Sequence, residues 1–266
     1  MKPIPAVPVS LYNSHYKLWR TASKFTIATV GLANKLYFKC FHKTKVYPHQ
    51  YHLDDLLRQN CHRPIITVSN HMSCLDDPLV WGIILRCSTV MRHWDIVRWV
   101  PGAHEICFEG KHMAKLKGLV MSLGKTSSCR RGEGIYQPCM DFSIEQLNNN
   151  HPVHIFVEGK VNETRNLIRT KWGVGRLVQE CATPPLVIPF VHRGMEEVLP
   201  LYHTFPKPNK IITIGIGDPI ETEGLLAECR RFDFSEPATR KYITDVIEFK
   251  LDKLCRQIND CHYGNS

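Results

Sequence analysis

A histidine and an aspartate stand five positions apart in the run Ile65-Ile66-Thr67-Val68-Ser69-Asn70-His71-Met72-Ser73-Cys74-Leu75-Asp76-Asp77-Pro78. An imidazole held by a carboxylate can take a proton from a hydroxyl and later return it, the carboxylate fixing the tautomer and steadying the imidazolium. In one unbroken helix, residues five apart lie roughly 140° around the axis and do not meet, so the chemistry requires a bend. The surrounding residues supply one. Residues 65–69 read as a buried strand. Pro78 suits the first turn of a helix with Asp76 or Asp77 as its N-cap, and the apolar run 79–85 continues it. His71 thereby falls in a strand-to-helix loop and Asp76 at the helix mouth. Ser73 is nearby, but the chain has no Gly-x-Ser-x-Gly elbow; the hydroxyl to be activated is then the substrate's own. Taken alone, the spacing is explained more simply by an ordinary loop histidine and a capping aspartate.

Three later places carry chemistry of their own. In residues 124–132, the adjacent Arg130 and Arg131 sit among small residues, and Arg131 in particular suits a phosphodiester that a guanidinium grips in bidentate fashion; two solvated loop arginines are the plainer account. At 156–162, Glu158 and Gly159 follow an apolar strand, at the carboxyl edge where open α/β sheets bind ligands. Glu158 could accept hydrogen bonds from substrate hydroxyls and Lys160 could meet a phosphate, although turn chemistry alone yields the same pattern. At 186–191, Pro189 interrupts an apolar strand, which predicts an edge or a bulge beside a cleft, with core packing as the cheaper account.

These residues need a scaffold, and the chain supplies an alternation of strands and helices. Strands are expected at 65–69, 153–157, 186–191 and 211–215, and helices from 78 onward and at 111–123, 137–149, 172–182 and 236–258. This is an α/β layered fold with a central, mostly parallel or mixed sheet flanked by helices. Trp94 and Trp99, with Arg92, His93 and Arg98, form either a second interfacial patch or packing under a loop. With 266 residues, no low-complexity linker and no repeat, residues 54–266 read as a single domain. The eleven cysteines include no C-x-x-C pair, and His71 with Asp76 lacks a third ligand, so no metal is expected.

The charge of +9 is concentrated. Lys2, Lys17, Arg20, Lys24, Lys35, Lys39, Lys43 and Lys45 supply +8 before the first acid, Asp54. On a helical wheel most of these cations share a sector of roughly 140°, with Leu18, Trp19, Val30, Leu36, Tyr37 and Phe41 mainly opposite. Residues 1–53 therefore read as a basic amphipathic arm for an anionic membrane interface, a mitochondrial-type presequence, or both. The uncharged stretch 25–34 is too short to span a bilayer. No nucleic-acid motif accompanies the cations.

In order along the chain, Asn70-His71-x4-Asp76, the Gly124…Arg131 block, Phe156-x-Glu158-Gly159 and Val187-Ile188-Pro189 resemble the four blocks of the glycerophospholipid acyltransferase family. Further likeness, in Gly134-x-Tyr136-Gln137, Lys160-Val161-Asn162, Lys171-Trp172-Gly173 and Gly194-Met195, extends over roughly residues 60–217 and is closest to that family's mitochondrial transacylases. The resemblance implies a cardiolipin-remodelling exchange of acyl chains between phospholipids and lysophospholipids, without cofactor. His71 would be the base, Asp76 its partner, and Arg131, Glu158, Gly159 and Lys160 would bind substrate. It further implies peripheral attachment to mitochondrial membranes, facing the intermembrane space. The alternatives are an acyl-CoA-dependent lysophospholipid acyltransferase and a catalytically idle lipid-binding protein. Two departures stand out: Val157 replaces the family's usual proline, and Val161 replaces an arginine that serves small phosphate acceptors such as glycerol 3-phosphate. Oligomeric state is left open.

Overall fold

The computed structural model describes residues 16–47, 52–109 and 114–264. The chain begins with helix α1 (Tyr16–Phe41) and strand β1 (His42–Tyr47), then α2 (Leu53–Gln59), β2 (Ile65–Ser69), α3 (Asp76–Ile84) and α4 (Cys87–Arg92). Next come β3 (Val100–Ala103), the single turn α5 (His104–Cys107), α6 (Ala114–Leu123), β4 (Thr126–Cys129), α7 (Pro138–Asn148) and β5 (Val153–Phe156). The remainder is α8 (Gly173–Glu180), β6 (Leu186–Arg193), α9 (Met195–Val198), β7 (Lys210–Ile216), β8 (Ile220–Glu221), α10 (Thr222–Arg231) and the long α11 (Glu236–Tyr263).

The main sheet has the order β1-β7-β6-β2-β5, with β8 on β6. β2, β5 and β6 run parallel, while β7 is antiparallel to β6. The pair β3–β4 continues the sheet beyond β5 through a parallel bridge between Trp99 and Val153. Every residue of β2 and β6 is buried, as expected where helices cover both faces of a parallel sheet. Alternation then divides the core. Ile66, Val68, Val187 and Val191 pack with α7, α8 and α11. Ile65, Ile188 and Phe190 pack with Phe38, Leu53, Leu57 and Trp81 of α1, α2 and α3.

The basic arm is not separate from the domain. Trp19 and Phe38 belong to the two cores, and β1 pairs with β7 from His42 to Tyr47. A boundary at residue 53 therefore cuts through the fold, and Lys43 lies on a strand rather than a helix. Lys2 lies outside the described residues. Trp94 and Trp99 are buried, with Trp19 stacked on Trp99 at 5.6 Å, so the two tryptophans are packing, while Arg92 and His93 are exposed.

Pro189 occupies a central strand, not an edge. On one side it is in register with Val68; on the other, β6 changes neighbour from β8 at Leu186–Val187 to β7 at Phe190–Arg193. The proline falls in that gap, where its carbonyl takes the Gly217 amide at 2.9 Å, and the missing N–H costs no ladder bond there.

Candidate active site

The strand directions bring His71 after β2, Gly159 after β5, Arg131 after β4 and the end of β6 to one edge of the sheet. Here the loop 70–75 doubles back on itself. Asp76 is the first residue of α3, Leu75 is the N-cap and Pro78 lies in the first turn. The Asp76 carboxylate points away from the helix into the loop, and its Oδ2 accepts the Met72 amide at 2.6 Å and the Ser73 amide at 2.9 Å. These bonds make the bend, and they bring Oδ2 to 2.9 Å from His71 Nδ1. With Nδ1 engaged, Nε2 is the nitrogen that can exchange a proton, and it has no protein partner among the described residues. The His71 side chain is 17% exposed, whereas that of Asp76 is 0%.

Burial by itself would raise the Asp76 carboxyl. The charge that His192 carries when protonated, the hydrogen bond and charge of His71, and the Ser73 amide outweigh that effect and hold it below the usual carboxylate range. Asp76 is therefore an anion at neutral pH. Ser73 is no nucleophile: it is buried and its hydroxyl donates to the Leu199 carbonyl at 2.9 Å.

Glu158 has a role other than the expected contact with substrate hydroxyls. It is fully buried. Its Oε1 takes the His71 amide at 3.1 Å, and its Oε2 takes Asn162 Nδ2 at 2.5 Å and the Ile168 amide at 3.2 Å. Burial raises the Glu158 carboxyl in spite of these donors. The Asn162 amide closes the loop by donating to the His71 carbonyl at 2.7 Å. Glu158 and Asn162 thus clamp the backbone of His71 on both sides, and the His71 ring stacks on Phe156 at 4.1 Å. Gly159 has φ +68°, a left-handed turn that suits glycine, while Lys160 is exposed. Val157 donates to the Ser69 carbonyl at 3.1 Å, a bond that proline could not make.

Arg131 lies at the same sheet edge, beyond β5 and β3, and is ion-paired with Glu105 at 3.3 Å on a half-exposed surface. Arg130 pairs with Glu133 at 3.5 Å. Beside α3, an apolar groove of about 130 Å³ runs between α1, α3 and α6, lined by Ile27, Val30, Trp81, Val97, Val120 and Met121. Asp77 and Pro78 form part of its wall, directly after Asp76. Asp77 is tied to Arg98 by two hydrogen bonds, fixing the start of α3.

Residues 49–193 match the family model for acyltransferases. The chain belongs to the acyltransferase family. Among curated relatives, the chain is 34% identical over 250 residues to tafazzin of Drosophila melanogaster, covering 92% of this chain and 64% of the relative. It is 36% identical over 165 residues to an N-acylphosphatidylethanolamine synthase of Arabidopsis thaliana, covering 59% and 56%. The chain thus spans between a little over half and just under two thirds of the length of these relatives. The fold is that of the crystal structure of a 1-acyl-sn-glycerophosphate acyltransferase from Thermotoga maritima, with TM-score 0.57, 17% identity and coverage of 92% and 91%.

Asn162 and Asn70 stand in the sequence only as members of the motif blocks, with no role given to them, and His192 is not singled out at all. The Asn70 side chain bonds both the amide and the carbonyl of His192, each at 3.0 Å. An asparagine before a candidate base was the available signal, but only the parallel pairing of β2 and β6 gives it a partner.

Proposed function

We propose that this acyltransferase exchanges acyl chains between phospholipids and lysophospholipids at a membrane surface. The observation that carries the reading is the His71–Asp76 pair, with Nδ1 held, Nε2 open and the anion buried. His71 Nε2 takes the proton of a lysophospholipid hydroxyl, and the resulting alkoxide attacks the ester carbonyl of a donor phospholipid. Collapse of the tetrahedral adduct breaks the original ester bond, and the departing lysolipid oxygen recovers the proton from His71. Such general base catalysis contributes about 10²–10⁴ in rate. Donor and product are of the same chemical kind, so the exchange runs in both directions with no cofactor. The apolar groove beside α3 suits an acyl chain. Arg131 and Lys160 are the cations at hand for head-group phosphate, and Val161 offers none, which favours lysophospholipids over glycerol 3-phosphate.

The similarity to a tafazzin and the motif blocks of the mitochondrial transacylases support cardiolipin and related phospholipids as substrates, and mitochondrial membranes facing the intermembrane space as the location. No helix among the described residues is long and apolar enough to cross a membrane. Membrane contact is assigned to α1, whose outer face carries Leu18, Phe25, Leu32 and Leu36, between 52% and 71% exposed, at one helical azimuth with Lys17, Lys24, Lys35 and Lys39 alongside.

The test is to incubate purified protein with labelled phospholipid and unlabelled lysophospholipid, with and without acyl-CoA, and separately with phosphatidylethanolamine as the amine acceptor suggested by the Arabidopsis relative. Transfer without acyl-CoA to the lysolipid hydroxyl is expected. Strict dependence on acyl-CoA, N-acylation alone, or no transfer would each displace the reading.

A further inference from the structure

His192 lies near the end of β6 and is completely buried. Its Nε2 is 3.5 Å from Asp76 Oδ2, and neither ring nitrogen has a closer hydrogen-bond partner among the described residues. Asp76 Oδ1 is also buried and unpartnered. Buried side-chain polar atoms are rarely left so, and a slot that only needed filling would be served better by phenylalanine or leucine. The ring has not drifted there by slack in the backbone, because Asn70, the residue preceding the base, pins both peptide groups of His192. The next residue, Arg193, reaches Met72 Sδ at 3.2 Å in the same loop. The sequence segment that carries His71 thus also fixes where His192 sits.

We propose that His192 is a positioning residue for the base, its Nε2–H directed at Asp76 from β6 while His71 holds the same carboxylate from the β2 loop. Asp76 then lies between two imidazoles. The outer one exchanges protons with substrate; the inner one stays neutral, keeps the carboxylate ionised and stops it rotating away from His71 Nδ1. Burial pushes His192 down, against the pull of Asp76, which is consistent with a neutral ring. The other titratable groups around the pair are His154, buried and pushed well down by the same cause, Glu158 behind the His71 amide, Arg193 next in the strand and Glu196 on α9. This inference rests on the proposed role of His71 as a base.

Two variants and one spectrum test it. His192→Phe keeps the ring and removes the N–H; His192→Gln restores an N–H near the Nε2 position. With acyl transfer in mixed micelles as the assay, the phenylalanine variant should lose about tenfold to a hundredfold in kcat with KM within about twofold, and glutamine should recover most of it. Without the inner donor, Asp76 becomes the stronger partner of the His71 imidazolium, which then keeps its proton to higher pH. The acidic limb of the kcat profile should therefore move upward in His192→Phe and return in His192→Gln. Loss of rate with an unmoved limb and no rescue would mark His192 as mere filling and overturn the proposal, as would an unchanged rate. Should His192→Phe fail to fold, nitrogen NMR of histidine-labelled wild type decides: Nε2 protonated and Nδ1 bare is expected, and the opposite tautomer overturns it. That spectrum does not depend on turnover, so absence of transfer by the wild type would sink the acyl-exchange reading and leave the His192–Asp76 contact separately answered.

Discussion

The polar groups along the proposed catalytic edge fall into two sets with opposite surroundings. Asp76, Glu158 and Asn162 are buried, and each is held by backbone amides or by another member of the set. Arg130, Arg131 and Lys160 are half or fully exposed, and the two arginines are occupied by surface carboxylates. In the first set, geometry is fixed before substrate arrives, which is what proton transfer over a hydrogen-bond length demands. In the second, each cation is screened and mobile, worth little until a phosphate displaces its carboxylate. Under the proposed function, chemistry falls to the buried set and head-group contact to the exposed one.

The largest effects should come from the buried set. His71→Ala should reduce acyl transfer by about 10²–10⁴, and Asp76→Asn should cost about as much through loss of tautomer control. Circular dichroism and liposome binding of His71→Ala should stay unchanged; near wild-type transfer by that folded variant would refute the proposed base. Next in size is the core of α1. Trp19 lies between Trp94 and Trp99, with ring centroids 5.6 Å from each. Trp19→Ala should cost about 3–5 kcal/mol of stability, read as a shift of the urea midpoint. A neutral result would mean that the arm is dispensable to the fold after all.

Acid sensitivity sharpens the comparison further. The Asp76 carboxyl is held below its unfolded value, near 3.9 for a free aspartate. Its contribution to stability is present above that value and is lost as pH falls through the lower folded one. Acid unfolding of the wild type should therefore carry a proton uptake that Asp76→Asn lacks, whereas Arg131→Gln should leave the acid curve unchanged. Identical curves for wild type and Asp76→Asn would show that the buried anion contributes nothing to folding.

How far the sequence discloses this arrangement depends on the range of the interactions concerned. The strand-to-helix loop at 65–78 is legible because the bonds that shape it join residues three to five apart, and the strands, α7, α8 and α11 follow from local periodicity. What is not legible is set at long range. Whether Glu158 faces substrate or the back of His71 depends on the β2–β5 register, which a sequence pattern at 156–159 does not contain. Pro189 looks like an edge residue until β8 and β7 are known to share one side of β6. Trp19 and Leu18 are adjacent and both apolar, yet only one is in the core, because a helix that is wedged against the sheet buries one stripe and presents the other outward. Wheel geometry groups them; packing separates them.

Smaller effects belong to the exposed set. Arg131→Gln should raise KM for anionic lysolipid severalfold with kcat nearly unchanged, as expected for a surface ion contact that binds ground state and transition state alike. A fall in kcat without change in KM would move Arg131 into the chemistry and blur the division.

The smallest effects, counted per residue, should come from the lysines of α1. Each cation near an anionic membrane strengthens binding by about fivefold, an advantage that falls with salt. Lys17, Lys24, Lys35 and Lys39 flank the outer apolar stripe, whereas Arg20 is already taken by Asp95 at 2.7 Å. Replacing the four lysines with glutamine should weaken co-sedimentation with anionic liposomes and leave a residual, salt-insensitive binding to neutral ones. Replacing Leu18, Phe25, Leu32 and Leu36 with serine should do the reverse, removing the residual part while the salt-dependent part survives. Arg20→Gln should change neither much, since the guanidinium is engaged within the fold. If the lysine and leucine sets prove interchangeable, or if neither alters binding, then α1 meets no membrane, and its outer stripe must have another explanation. Catalysis on detergent-dispersed lipid should be spared by the apolar set and by Lys17→Gln, Lys24→Gln and Lys39→Gln, none of which lines the groove beside α3, whereas Lys35 does line it and Lys35→Gln should also alter acyl-chain binding.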